Sequence, residues 1–136
     1  MRQENMRFGT FIRQKRINDS RGLTLKDVAA ELNLSLSYLS DIEQNRRSPL
    51  DSNQIERLCA FLNLNEDDKH TMFDLAAKET SKIPSDIEDV MMYTEEGSNA
   101  RRALRMTNAG YATNDDWKRF IQELEAKKKK QEGSSN

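Results

Sequence analysis

Two short amphipathic patterns separated by only three residues, Asn33-Leu34-Ser35, constrain this chain more than any other feature. The first begins at Thr24, an N-cap residue, with Asp27 three positions on, where a carboxylate can reach back to the cap. Val28, Ala29 and Leu32 form its buried stripe, and it ends at Asn33, which tolerates a left-handed turn. Ser35 caps the second pattern, Leu36–Gln44, with Leu39 and Ile42 on its inner side and Glu43 at their edge. Small residues, Ala29 and Ala30, stand where two such helices approach closely, and Leu34 is apolar in the middle of the turn. A simple amphipathic hairpin needs neither feature. Helices so joined cross steeply and leave the second one's outer side free. That side carries Ser37, Ser40, Asp41 and Gln44 at helical spacing.

The flanking sequence reads as helix throughout, with almost no strand signal. A helix is expected over about Arg7–Ile17, with Phe8, Ile12 and Phe11 on its apolar side. Asn45-Arg46-Arg47-Ser48 makes a polar loop closed by Pro49. A fourth helix spans about Asp51–Leu62, turning Ile55, Leu58, Cys59 and Leu62 inward. Asn65 caps a fifth carrying Met72, Phe73, Leu75 and Ala76. A joint at Thr80–Pro84 follows. Three shorter patterns come after it, at Asp86–Tyr93, at Ser98–Thr107, and from a cap at Asn114 to about Lys127, with Trp117, Phe120, Ile121 and Leu124 on one face. The organisation expected is residues 1–80 as one domain, 81–127 as a helical C-terminal region, and 128–136 as a disordered, solvated tail.

Composition narrows the function. The one cysteine and one histidine among 136 residues cannot build a disulfide, a zinc site or a nucleophile–base pair, and no glycine-rich loop offers a phosphate cradle. Neither enzyme chemistry nor a metal or cofactor is expected. No apolar run has the length of a signal peptide or a membrane span, which suits a cytoplasmic protein without membrane contact. Net charge is −1, unevenly spread: +3 over residues 1–50, −8 over 51–97 and +4 over 98–136. Only the first segment offers a basic surface around the helix pair, so an interaction with DNA rests on the motif and not on the overall charge.

Two helices held this way can set the second across the DNA major groove. The stretch Phe8–Leu64 resembles the Cro/lambda-repressor-like helix-turn-helix, the XRE family of transcriptional regulators. The matching residues are Gly9, Ile12 and Arg16; Gly22-Leu23-Thr24; Val28-Ala29 and Leu32; Leu34 through Glu43; Arg46, Arg47 and Pro49; and Leu58 to Leu64. The resemblance implies an all-α fold, a five-helix lambda-repressor-like DNA-binding domain followed by a small helical C-terminal dimerisation region. It implies a structural ion pair between Arg16 and Glu43, base reading by Leu36, Ser37 and Asp41 with Ser40 beside them, and phosphate contacts from Thr24, Leu25, Gln44, Arg46 and Arg47. Three positions depart from the family pattern. Leu25 stands for a glutamine, Asn45 for a glycine, and Asp41 puts a negative charge on the DNA face unless it meets a cytosine amino group or a nearby arginine.

A smaller set of residues, Leu104-Arg105, Gly110 and Asp116-Trp117, is similar to the radiation-response repressors of the DdrO type. That similarity implies inactivation by a zinc metallopeptidase of the ImmA/IrrE type, cutting between Leu104 and Gly110. The expected function is a repressor reading an inverted-repeat DNA operator as a homodimer, with Trp117, Phe120, Ile121 and Leu124 at the dimer contact. Two alternatives stay open: an antitoxin-type autorepressor, and a protein-interaction adaptor that keeps the fold without reading DNA. Ser37 and Ser40 also fit plain solvent-facing positions, Arg46-Arg47 an ordinary loop, and the Trp117–Leu124 stripe packing within one chain. His70 reads as a surface residue and Cys59 as core.

Overall fold

The computed structural model describes residues 6–134, and these form eight helices without a strand. They are α1 (Phe8–Asn18), α2 (Leu25–Glu31), α3 (Leu36–Glu43), α4 (Ser52–Phe61), α5 (Glu66–Thr80), α6 (Glu88–Tyr93), α7 (Glu95–Asn108) and α8 (Asn114–Ser134). The chain divides into two compact units, Met1–Glu88 and Asp89–Asn136.

In the first unit α1 packs on α3 and α5, α2 on α3 and α4, and α4 on α5. The shared core takes Phe8 and Ile12 from α1, Val28, Ala29 and Leu32 from the second helical segment, and Leu39 and Ile42 from α3. Ile55, Leu58, Cys59 and Leu62 enter from the fourth, and Met72, Phe73 and Leu75 from α5. Each large side chain so buried stabilises the fold by about 1.5–3 kcal/mol. Two inward residues lie outside the sequence reading. Leu50 is buried although it sits in a loop, where no periodicity signals it, and on α5 it is Ala77 that is buried while Ala76 is half-buried. Burial pushes the Cys59 thiol up to about 11, and its sulfur lies 3.5 Å from that of Met72.

One device closes three of these helices. Asn33, Asn45 and Asn63 follow α2, α3 and α4 with φ of 58°, 62° and 52°. Just beyond each, a backbone N–H reaches back to a carbonyl of the last helical turn: Leu34 to Ala29 at 2.9 Å, Arg46 to Asp41 at 2.8 Å and Leu64 to Cys59 at 3.0 Å. This satisfies carbonyls the helix end would leave bare. Leu34 and Leu64 then pack on the core, and Ser35 and Asn65 immediately cap α3 and α5. Leu32-Asn33-Leu34-Ser35 and Leu62-Asn63-Leu64-Asn65 are thus one corner used twice.

The start of α1 is satisfied from elsewhere, because Arg7 at its N-cap supplies no side-chain cap. Glu79 of α5 accepts from Phe8 N–H at 2.7 Å and pairs with Arg7. The Asn45 side chain accepts from Gly9 N–H at 2.9 Å and donates to Thr10 Oγ1 at 3.1 Å. A Cβ on Gly9 would lie 2.0 Å from the Ile42 carbonyl oxygen, so only glycine lets α1 meet the end of α3.

The second unit has its own corners. Thr94 caps α7 by accepting from Gly97 N–H at 2.9 Å, so α7 begins at Glu95, ahead of the Ser98 start the sequence suggests. Gly97 hides this start, being a poor helix residue. It is nevertheless required, since a Cβ there would lie 1.9 Å from the Val90 carbonyl oxygen. α8 is capped by Thr113 and not by Asn114: Asp116 N–H donates to the Thr113 hydroxyl, and Thr113 N–H to the Asp116 carboxylate. The helix continues past Lys127 to Ser134, because lysine, glutamine and glutamate sustain helix well. Residues 135 and 136 of the expected tail lie outside the described residues. Among those described, no hydrophobic side chain of this unit is buried; Gly97 alone is.

Gly9→Ala should cost about 3 kcal/mol, since its neighbour is backbone and cannot step aside. Asn45→Gly keeps the left-handed turn and loses the side-chain bonds to α1, at about 1 kcal/mol. Urea unfolding of both variants checks the order; a Gly9→Ala variant as stable as the parent would overturn the close approach.

Candidate nucleic-acid interface

The outer face of α3 carries the residues singled out for base reading. Leu36 and Ser37 are exposed in its first turn, and Ser40 and Asp41 are half-buried one turn later. Gln44, exposed at the C-cap, donates to the Ser40 hydroxyl at 2.9 Å, so the two act as one polar unit. Beneath this face, Leu39, Ile42 and Glu43 are buried.

Glu43 is buried because it has a partner. Arg16 of α1 donates from Nε to Oε2 at 2.8 Å and from a terminal nitrogen to Oε1 at 2.9 Å, a two-point grip, and reaches the Leu23 carbonyl at 3.3 Å. The side chains are only 14% and 5% exposed, so solvent screens the pair little. Its hydrogen bonds raise the Arg16 pKa against the opposing pull of burial. The grip sets the rotation of α3 about its own axis, and with it which residues face outward.

Arg46 and Arg47 leave the end of α3 and return toward Asp41, with nitrogen–oxygen separations of 3.8 and 3.5 Å. Arg47 also lies over the Tyr38 ring, 4.4 Å from its centroid. Asp41 is thus the anion of a Tyr38–Asp41–Arg46–Arg47 cluster. Exposed pairs of this kind are worth at most about 1 kcal/mol. They orient the guanidinium groups while leaving them free to exchange Asp41 for a stronger anion such as a phosphate. The sequence reading missed Tyr38, although its place one turn before Asp41 was a usable signal.

At the start of α2 a full capping box forms: Thr24 N–H donates to Asp27 Oδ2 at 2.8 Å, and Asp27 N–H to Thr24 Oγ1 at 3.1 Å. The Thr24 hydrogen bonds hold Asp27 below the usual carboxylate range. The Thr24 N–H expected to face a phosphate is therefore already engaged, which leaves that role to the N–H groups of Leu25 and Lys26. Leu25 is half-buried against the core, where the glutamine of the family pattern would be polar.

A cleft of about 330 Å³ joins these parts, lined by Arg13, Arg16, Leu25, Ser40, Glu43 and Gln44. It brings Leu25 of α2 beside Ser40 and Gln44 of α3. It also brings in Arg13, an exposed cation on α1 that the sequence reading passed over because one α1 arginine was already assigned to the ion pair. Trp117, Phe120, Ile121 and Leu124 belong to the other unit, on α8. His70 is exposed and Cys59 buried.

Glu43→Gln or Arg16→Met alone should destabilise the first unit by about 2–4 kcal/mol, because each strands a buried charge or part of its hydrogen bonding. The double variant R16M/E43M should recover at least half of the larger loss. Thermal unfolding of all three decides; single variants within about 0.5 kcal/mol of the parent would remove the locking role.

Residues 12–69, under half of the chain, match the family model described as helix-turn-helix. Neither the curated proteins nor the solved structures offer a match. Among the described residues, no helix is long and apolar enough to cross a membrane. The matched segment runs from the middle of α1 into the first turn of α5 and contains α2, the Asn33-Leu34-Ser35 corner, α3 and the Asp41–Arg47 cluster. The helices of this segment form a helix-turn-helix of the Cro/lambda-repressor-like type, which supports a DNA-binding transcription regulator.

Proposed function

We propose that the protein is a cytoplasmic repressor that binds an inverted-repeat operator as a homodimer, with α3 of each copy in a major groove. The observation that carries the reading is the outward row Leu36, Ser37, Ser40 and Asp41, flanked by the exposed Arg46 and Arg47. Leu36 supplies an apolar contact of the kind that suits a thymine methyl. Ser37 and Ser40 supply hydroxyls that donate or accept, and Asp41 accepts from a cytosine amino group once its arginines turn to phosphate. Arg46, Arg47, Gln44 and the N–H groups of Leu25 and Lys26 at the α2 start serve the phosphates. The pairing of Asp41 with two arginines favours DNA over a protein partner for this face, because it answers the repulsion a bare carboxylate would meet.

The dimer part of the reading rests on the second unit. One motif reads a few base pairs, and useful specificity needs two held about one helical turn apart. The second unit exposes Val90, Tyr93, Leu104, Phe120, Ile121 and Leu124 and has no buried apolar side chain among its described residues, so burial against a second copy is its natural source of stability. Inactivation by a zinc metallopeptidase, which the weaker resemblance implies, would fall on the turn after α7, where Gly110 has φ of 92° and Tyr111 beside it is exposed.

Replacing Arg46 and Arg47 together by alanine should weaken binding about equally on specific and random duplexes, and lower the slope of log K against log salt by roughly 2. Gel shifts over a salt series measure it; an unchanged slope would remove both residues from phosphate contact.

A chain ending at Glu88 keeps the whole buried core. It should stay folded, run as a monomer in light scattering and bind the operator at least about tenfold more weakly. A truncated chain that remains dimeric at full affinity would move the interface into the first unit.

A further inference from the structure

We propose that α8 pairs with α8 of a second copy in antiparallel orientation, centred between Ile121 and Gln122; this rests on the dimer reading above and adds the geometry to it.

α8 spans 21 residues, and from Lys118 to Gly133 every residue is exposed. At its start Trp117 donates from Nε1 to Thr107 Oγ1 at 2.8 Å and Thr113 caps the first turn. In proteins most of a helix's stability comes from packing an amphipathic face. At about 100° per residue, Trp117, Phe120, Ile121 and Leu124 fall within one stripe, and the last three remain 50%, 51% and 45% exposed. The stripe covers only about two turns, so a partner helix must cross it there and nowhere else.

Charge selects the partner and its direction. The first turn carries Asp115 and Asp116, and the far end carries Lys127 to Lys130. Side by side in parallel, two copies would align four lysines with four lysines. Antiparallel, each lysine run meets the acidic first turn and the positive end of the other helix dipole is matched to a negative one. The flanks agree. Lys118 and Glu125, seven residues apart, border the stripe on one side, and Asp116 and Lys127 border it on the other. With the centre between Ile121 and Gln122, Lys118 stands opposite Glu125 of the second copy, and Asp116 opposite Lys127 of the second copy, each pair occurring twice. Asp116 is already oriented by Thr113 and Arg119, with its carboxylate held ionised.

Charge reversal on the full chain tests this. Lys118→Glu alone sets the introduced carboxylate against Glu125 in both halves of a homodimer, and Glu125→Lys alone sets the introduced ammonium against Lys118. Mixed in equal amounts, the two variants form a heterodimer in which one contact joins two introduced charges of opposite sign and the other joins the native Lys118 and Glu125. Sedimentation at low salt should show each variant dimerising about tenfold more weakly than the parent, and the mixture returning to within about threefold of it. Circular dichroism identical to the parent's confirms that the variants stay folded. A parent chain that sediments as a monomer overturns the dimer reading itself. A dimeric parent whose variants dimerise normally, or are not rescued by mixing, overturns the antiparallel pairing and leaves the dimer standing.

Discussion

The two-point grip of Arg16 on Glu43 is the interaction on which the outer face of α3, the proposed DNA-reading surface, depends. A carboxylate inside a helical core is costly, and this one is tolerated because a guanidinium from α1 meets both of its oxygens. The same geometry leaves α3 only one rotation. Were α3 turned by a single residue, about 100°, Glu43 would leave its partner and the row Leu36, Ser37, Ser40 and Asp41 would no longer face outward. Stability and recognition are therefore held by one pair, whose value lies as much in register as in energy.

Around that pair the helix ends are joined tightly. The left-handed asparagines after α2, α3 and α4 turn the chain within a few residues, and Asn45 does a second task by holding the start of α1. Where the family pattern places glycine, an asparagine supplies both the backbone conformation and a side-chain acceptor that glycine lacks. The loop bearing Arg46 and Arg47 thus departs from a rigid anchor, while its own contacts to Asp41 are exposed and weak. That division suits a phosphate-binding loop, which must be placed in advance yet give up its internal ion pairs on contact.

The two units differ in how they reach stability. The first buries a continuous core from Phe8 to Leu75. The second is well capped at its corners but keeps its apolar residues near the surface. Local hydrogen bonding defines its helices, and the proposed association would supply the burial they lack. In the proposed dimer, affinity for a two-part operator would depend on protein concentration, because assembly and DNA binding would draw on the same population of paired chains.

Much of the first unit was legible in the sequence, for a physical reason. Cap residues, helical periodicity and asparagine at turn positions act within a few residues, so Thr24, Ser35, Asn33 and the Val28–Leu32 stripe declare themselves locally. The same local signals set the polar row on α3. What only the tertiary structure decided are interactions between residues distant along the chain. Leu50 became core because it joins the buried cluster of the first unit from its loop, and Glu79 became the cap of α1 from 71 residues away. Thr24 N–H was claimed by its own capping box, Asp41 was drawn to Arg46 and Arg47, and Arg13 came to line the α3 cleft. In the second unit the sequence put the start of α7 late and the end of α8 early. Gly97 is unfavourable for helix by itself and is required only by the close passage of Val90, and a lysine run looks like a tail until its helix propensity is given a capped start. Local chemistry decides where helices begin and turn; which side chains meet is decided by the packing of helices whose contacts no short window of sequence contains.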